Sequence, residues 1–286
     1  MSGLKNFALA GVGRIGTFIA DELLNAKAAG IVDSVVVLTR DPSTHAAKSL
    51  VERGATVKAI SAYDDIVSVT AALMGADCVI STISGAATML QPALATAAKE
   101  AGVRLFVPSE WAGVSAGKTS GIHAPKAALL GHLDKLELPY TIFWTGLFAD
   151  FVWVPLLDLD LSSGKVILGG DGNAPVSFTA RTDIARYVVH ALTTSSFEEL
   201  TGKTFRIEGS RHSFNEIVSL YEAKHPGSKV EVQYTPLTEL KSRIEANPYD
   251  VKSTLQHDWA LGEWAVGSDD NGKWPEWKPA PVTDFF

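Results

Sequence analysis

The feature that most constrains the fold is a glycine loop set between a strand and a helix. Phe7–Ala10 is an apolar run of strand length, Gly11-Val12-Gly13-Arg14-Ile15-Gly16 follows at once, and 15–29 has the pattern of a helix. Short apolar runs then alternate with helix-length segments. Residues 35–38, 57–60, 78–81, 105–107 and 140–144 read as strands. Residues 44–53, 64–74, 89–101 and 125–136 read as the helices between them, with Asp64 or Asp65 placed to cap the third helix. This repeated β-α rhythm predicts a parallel sheet covered by helices on both faces, because parallel crossovers are right-handed and need a covering layer. The expected class is α/β: a doubly wound parallel sheet of the NAD(P)-binding Rossmann type. Its chemistry should lie in the loops at the carboxyl ends of the strands.

After Gly146 the rhythm changes. Helical segments at 181–194, 214–224 and 237–246 alternate with short strands near 165–168, 204–207 and 230–234, and Gly169-Gly170-Asp171-Gly172 reads as a turn. No polar linker intervenes. The expected division is a dinucleotide domain over residues 1–150 and a smaller, closely packed α+β substrate lobe over 151–286. Trp259, Trp264, Trp274 and Trp277 crowd the C-terminal part, as a packed tail or as a surface for a partner.

Bulk properties exclude several classes. A net charge of −7 lacks the basic footprint of a general nucleic-acid binder. The single cysteine, Cys78, allows neither an internal disulfide nor a zinc cluster, and it stands in a buried-strand run. No metal site is expected. No segment has the roughly 18–20 consecutive apolar residues a membrane span requires. Met1–Asn6 leads into a strand rather than a signal peptide. The expectation is a soluble, cytoplasmic protein whose partner is a small molecule.

The glycine spacing has a physical reason. Gly11 allows the tight turn, Gly13 lets the backbone approach a pyrophosphate, and Gly16 permits close helix–strand contact. The N–H groups of Arg14, Ile15 and Gly16 then open a helix whose dipole favours phosphate. The second strand ends Val37-Leu38-Thr39-Arg40. A NAD-specific loop places an acid there for the ribose 2′-hydroxyl; Arg40 is instead suited to pair with a 2′-phosphate, so NADP(H) is the expected cofactor. Ser43 and Lys48 stand ready to add contacts, and Asp41 comes one residue too late for the acidic role. A second loop, Ser81-Thr82-Ile83-Ser84-Gly85, has small side chains that suit an approach to the nicotinamide half, or an ordinary connection.

The fifth strand runs into Phe106-Val107-Pro108-Ser109-Glu110-Trp111. This resembles the F-L-P-S-E-F-G segment of isoflavone reductase-like proteins, in the NmrA-like branch of atypical short-chain dehydrogenases. The resemblance runs from the glycine loop through the sixth strand and continues more loosely through Gly170-Asp171-Gly172-Asn173 and Thr182-Asp183-Ile184-Ala185. It implies cofactor contacts at Pro108, Ser109 and Glu110. Upstream of Leu138-Pro139-Tyr140-Thr141 stands Lys126, which matches the family's lysine; the resemblance implies that it contacts the ribose or nicotinamide and helps move a proton. Trp111, Gly146, Leu147 and Phe148, with Phe151, are the candidates for an apolar or aromatic substrate.

Two departures stand out. The short-chain dehydrogenase tyrosine would fall four residues before Lys126, where this chain has Ile122. Family reductases tend to carry arginines after the lysine, whereas here Leu130, Gly131 and His132 follow. His123 is a candidate extra proton donor or simply a packing residue. The resemblance therefore implies an NADPH-dependent reductase of a small aromatic or apolar substrate, or alternatively an NmrA-type NADP(H)-sensing regulator without turnover, which would present a surface to a protein partner. A sugar-nucleotide epimerase or dehydratase normally needs the tyrosine missing at Ile122.

Overall fold

The computed structural model describes residues 3–286; Met1 and Ser2, the first residues of the segment read as leading into a strand, lie outside the described residues. In chain order the elements are β1 (Asn6–Ala10), α1 (Gly16–Ala28), β2 (Ser34–Thr39), α2 (His45–Glu52), β3 (Thr56–Ala59), α3 (Ile66–Leu73), β4 (Cys78–Ser81), α4 (Gln91–Glu100), β5 (Leu105–Val107), α5 (Ala124–Lys135) and β6 (Ile142–Trp144). There follow β7 (Leu147–Phe148), β8 (Lys165–Gly169), β9 (Val176–Thr179), α6 (Arg181–Thr194), α7 (Phe197–Leu200), β10 (Thr204–Arg206), β11 (Ser210–His212), α8 (Phe214–Lys224), β12 (Glu231–Thr235), α9 (Leu237–Ala246) and α10 (Val251–Ala260).

The chain forms two compact units and passes between them several times. The first comprises residues 3–111, 125–143 and 184–205; the second comprises 112–124, 144–183 and 206–286. The first unit is built on a parallel sheet of order β3-β2-β1-β4-β5. Strands buried on both faces need apolar residues at every position, and β4 is fully buried throughout. Alternate residues Ala8, Ala10, Leu38, Val79 and Phe106 point to one face, where they join Val69 and Leu73 of α3, Leu94 and Ala98 of α4, and Leu129 and Leu133 of α5. Phe7, Leu9, Val35, Val37 and Ile80 are equally buried on the other face, where α1 packs over β1 and β2. Thr44 and Asp65 cap α2 and α3 by accepting from Ala47 N and Ser68 N.

The sixth strand departs from expectation. Only Tyr140 bridges to β5, through Phe106; Phe106 N donates to Pro139 O and Thr141 N to Phe106 O. From Ile142 onward the chain turns to β10, with Ile142 N donating to Lys203 O. The reason is local: β5 is three residues long, and Pro108 offers no N–H with which to extend it.

In the second unit β9 lies between β11 and β7, and β12 pairs with β8. Its core gathers Phe178, Phe214, Trp259 and Trp264, with the two tryptophans packed edge to face at 6.0 Å. Trp277 is buried too, its indole N–H donating to Asp183 O. Three of the four C-terminal tryptophans are therefore packing residues. A cavity of about 10 Å³ beside Leu168, Phe214 and Trp259 has room for about one water and contains none of the expected site residues. Among the described residues, no helix is long and apolar enough to cross a membrane.

Candidate functional site

The glycine loop leaves β1 with Gly11 at φ +99°, a conformation that only glycine adopts without strain. Gly11 N donates to Leu38 O, and Thr82 Oγ1 donates to Gly11 O at 2.8 Å and to Ala10 O at 3.2 Å. The loop after β4 thus holds the loop after β1. At Gly16 a Cβ would lie 2.3 Å from Gly11 O and 2.5 Å from Thr82 Oγ1, so α1 can start this close to β1 only with glycine there. Gly13 is different: it is exposed, and a Cβ on it would meet no protein atom within 4 Å. Packing does not demand glycine at that position. Ile15 is buried, Arg14 is exposed, and α1 begins without a side-chain cap.

At the end of β2, Thr39 is buried and its hydroxyl accepts from Asp41 N. Arg40 is exposed. Asp41 is occupied by its own turn: its carboxylate accepts from Ser43 N at 2.8 Å and from Ser43 Oγ at 2.6 Å, contacts that hold it below the usual carboxylate range. It is therefore not free to play the acidic role at the strand end. Tyr63 lies beneath this corner, with its hydroxyl donating to Leu38 O. Burial pushes the Tyr63 phenol up to about 12, against the opposing charge of Arg40. The unfolded phenol ionises near 10, so this group's contribution to stability is fully present below pH about 10 and lost as pH rises through about 12. The expected loss is about 2–3 kcal/mol. Urea unfolding between these pH values should show it, and Tyr63→Phe should flatten that alkaline slope.

The loops after β4 and β5 are mostly buried. Ser81 is fully buried and its carbonyl accepts the Trp111 indole N–H at 2.9 Å; Ile83 is buried and Ser84 exposed. Pro108, Ser109 and Glu110 are all buried, and Ser109 N donates to Gln91 Oε1 at 2.9 Å. Gln91 was not legible as a site residue. It is fully buried at the start of α4, with its Nε2 unsatisfied among the described residues. A glutamine in the first turn of an amphipathic helix carries no local sign that its partner is a backbone amide eighteen residues on.

Lys126 lies half-buried in the first turn of α5, and among the described residues nothing accepts a hydrogen bond or ion pair from it. Among the described residues it has no acid partner, the ordinary explanation for a lysine at a helix start. Ile122 is half-buried in the turn before α5. His123 is buried, with its Nε2 2.9 Å from Asp258 Oδ2.

The residues expected to meet substrate divide. Trp111 is buried, stacked on Phe143 at 5.9 Å, with its N–H spent on Ser81 O. Gly146, at φ +68°, lies against β9 so closely that a Cβ would approach Ser177 O to 2.2 Å. Leu147 is buried opposite Phe178 in the β7–β9 pair. Phe148, its neighbour in β7, is half-buried. Packing explains the first three. Burial also pushes the Cys78 thiol well up, with the charge of Asp77 adding to the effect, so it is no nucleophile at neutral pH.

The parallel sheet, its strand order and the glycine loop at its centre define a doubly wound α/β protein of the Rossmann type. A family model described as the NmrA-like family matches residues 8–265, and the chain belongs to that family. It is 29% identical to an isoflavone reductase homolog of Arabidopsis thaliana, covering 90% of this chain and 86% of the relative. It is 30% identical to a phenylcoumaran benzylic ether reductase of Betula pendula, covering 88% and 84%. Among solved structures, leucoanthocyanidin reductase of Vitis vinifera, in its binary complex with NADPH, superposes with a TM-score of 0.79 at 21% identity, over 97% of each chain.

Proposed function

We propose that the chain is an NADPH-dependent reductase of a small aromatic or otherwise apolar substrate. The observation that carries the reading is Lys126: an ammonium in the first turn of α5 with, among the described residues, no acid beside it. An unpartnered, half-buried cation is free to engage a ribose hydroxyl or a substrate oxygen. The Arabidopsis thaliana and Betula pendula relatives carry reductase names, which supports the same class.

The chain fits the cofactor. The open space over Gly13 leaves the backbone accessible to a pyrophosphate, and the uncapped start of α1 offers N–H groups and a positive dipole end. Gly11, Gly13, Arg14, Ile15 and Gly16 would cradle the phosphates, and Gly11 and Gly16 also set the loop's shape. Thr39 and Arg40 would meet the 2′-phosphate. Ser81 to Ser84 would border the nicotinamide half, with Thr82 acting through its hold on Gly11 O. Pro108, Ser109 and Glu110 would shape the floor from within the fold. Residues 1–150 would form the cofactor domain and 151–286 the substrate lobe; Phe148 and Phe151, on either side of that boundary, are half-buried and so more exposed than Trp111 and Leu147. Bound NADPH supplies a hydride. Lys126 would orient the ribose and hold or move a proton at the substrate oxygen. The buried thiol of Cys78 suits a cytoplasmic setting.

The test is direct. The purified protein is mixed with NADPH and a panel of aromatic aldehydes, ketones and ethers, and consumption of reduced nicotinamide is followed. Turnover supports the reductase. Tight NADP(H) binding with no turnover on any member overturns it in favour of a sensing regulator. Cofactor choice is tested separately by Arg40→Glu. Losing a charge-assisted contact costs about 1.5–3 kcal/mol, so NADP(H) affinity should fall at least about ten-fold. NAD(H) affinity should change little. Equal losses for both, by calorimetric titration, would remove Arg40 from the 2′-phosphate.

A further inference from the structure

The start of α5 is held from outside itself. The turn Gly121–His123 runs into α5 with Ala124 already helical, and Ser120 before it provides no side-chain cap. Most helices begin on such a cap. Here the turn is fastened to α10 instead. His123 Nε2 and Asp258 Oδ2 are 2.9 Å apart, and both residues are buried. Lys118 Nζ and His257 Nδ1 each lie 3.7 Å from Asp258 Oδ1, and Lys118 also pairs with Glu263. Burial pushes the Asp258 carboxyl up, but the His123 hydrogen bond and the charges of Lys118, His123 and His257 outweigh it and hold it below the usual range.

The backbone of this segment is fixed as well. A Cβ on Gly121 would come within 3.2 Å of Pro248 O, just before α10. At the other end, Gly113 lies against the Trp264 indole, and Thr145 N and Gly146 N both donate to Ala112 O. Residues 112–124 are thus clamped at each end and ionically tied in the middle.

Among the described residues Lys126 has no side-chain partner, so where its ammonium can reach is set by the backbone that presents it. A buried ion pair is weak evidence for stability, because apolar residues of the same size often serve as well. Its stronger property is direction: a short charge-assisted hydrogen bond fixes angle as well as distance. We propose that the His123–Asp258 pair is a positioning device for Lys126, anchoring the turn before α5 to α10 so that the lysine is presented in one place. This rests on the reading of Lys126 as a cofactor-side residue. It makes His123 and Asp258 positioning residues, not proton donors.

The test does not depend on turnover. Lysines are modified with trinitrobenzenesulfonate with and without saturating NADP⁺, and the rate at Lys126 is read by peptide mass spectrometry. In the wild-type protein NADP⁺ should slow modification of Lys126 about ten-fold. In His123→Ala that protection should be largely lost while calorimetric NADP⁺ affinity is nearly unchanged. His123→Gln, whose amide can still donate to Asp258, should restore protection, which a role in bulk stability alone would not require. Should His123→Ala fail to fold, His123→Phe carries the same comparison, since it fills the space and cannot hydrogen-bond to Asp258. Full protection in the folded variant overturns the positioning role. Absence of protection in the wild-type protein overturns the reading of Lys126 instead.

Discussion

Gly16→Ala is expected to destabilise the protein by about 2–3 kcal/mol, whereas Gly13→Ala should leave stability within about 0.5 kcal/mol and weaken NADP(H) binding at least about ten-fold. The two glycines are three residues apart in one loop, yet they meet different obstacles. At Gly16 the new methyl would lie 2.3 Å from a backbone oxygen, Gly11 O, which also accepts the Thr82 hydroxyl. Backbone cannot rotate aside as a side chain can. Relief requires α1 to lift from β1, or the Thr82 bond to break, and either disturbs a core that includes Ile19, Ala20 and Leu23. At Gly13 no protein atom lies within 4 Å of the methyl, and the residue is not left-handed. The folded protein has no reason to notice it. A pyrophosphate drawn against the loop would, because the methyl occupies the space through which the backbone is approached. Urea unfolding and calorimetric titration of both variants separate the effects. Equal destabilisation by the two, or unchanged binding by Gly13→Ala, would show that the loop is a structural turn only.

That contrast also shows how much of the molecule was legible in the sequence. The strands β1, β2, β4 and β5 were readable because a two-sided parallel sheet demands apolar runs, and each run is bounded by turn residues; β3, at the sheet edge, is exposed or half-buried along its length and was read from the β-α rhythm around it. Helices α6, α8 and α9 were readable from their periodicity; α8 also has a capping box, Ser213 with Glu216. The strand β9 escaped because Val176–Thr179 alternates apolar with hydroxyl residues that are themselves fully buried, so the pattern imitates a half-exposed segment. The helix α10 escaped because its inward face includes Ser253, Thr254, Gln256 and Asp258, polar residues buried through specific partners rather than through hydrophobicity. The same limit applies to the site. The glycine loop is a local motif, and its place between β1 and α1 could be read; Arg40 is local too, and it stands exposed at the end of β2. The tie between His123 and Asp258 spans 135 residues, and nothing in the local pattern of either residue names the other. Aromatic and apolar residues near strand ends, such as Trp111 and Leu147, suit both a pocket and a core, and the sequence does not show that Trp111 donates to the Ser81 carbonyl or that Leu147 pairs with β9.

Lys126→Ala is expected to lower kcat on an accepted substrate by about 10²–10⁴-fold, the range for losing a positioned proton-transfer group. NADP(H) affinity should fall only a few-fold, because the phosphates are held elsewhere. On the proposed reading the burden on this lysine is heavier than in a short-chain dehydrogenase with its tyrosine, since Ile122 has no proton to give. Two roles are available to the ammonium: holding a ribose hydroxyl by charge, and moving a proton at the substrate oxygen. Lys126→Arg separates them. A guanidinium keeps the charge and the hydrogen-bond donors but does not deprotonate in proteins. If Lys126 only orients, Lys126→Arg should recover much of the kcat lost in Lys126→Ala. If it moves a proton, Lys126→Arg should recover NADP(H) affinity and leave kcat low. On the proposed reading of Lys126, which among the described residues has no acid beside it, the second outcome is the expected one. Recovery of both quantities by arginine would reduce Lys126 to a charge that holds the cofactor, and the proton would then have to come from water or from the substrate itself.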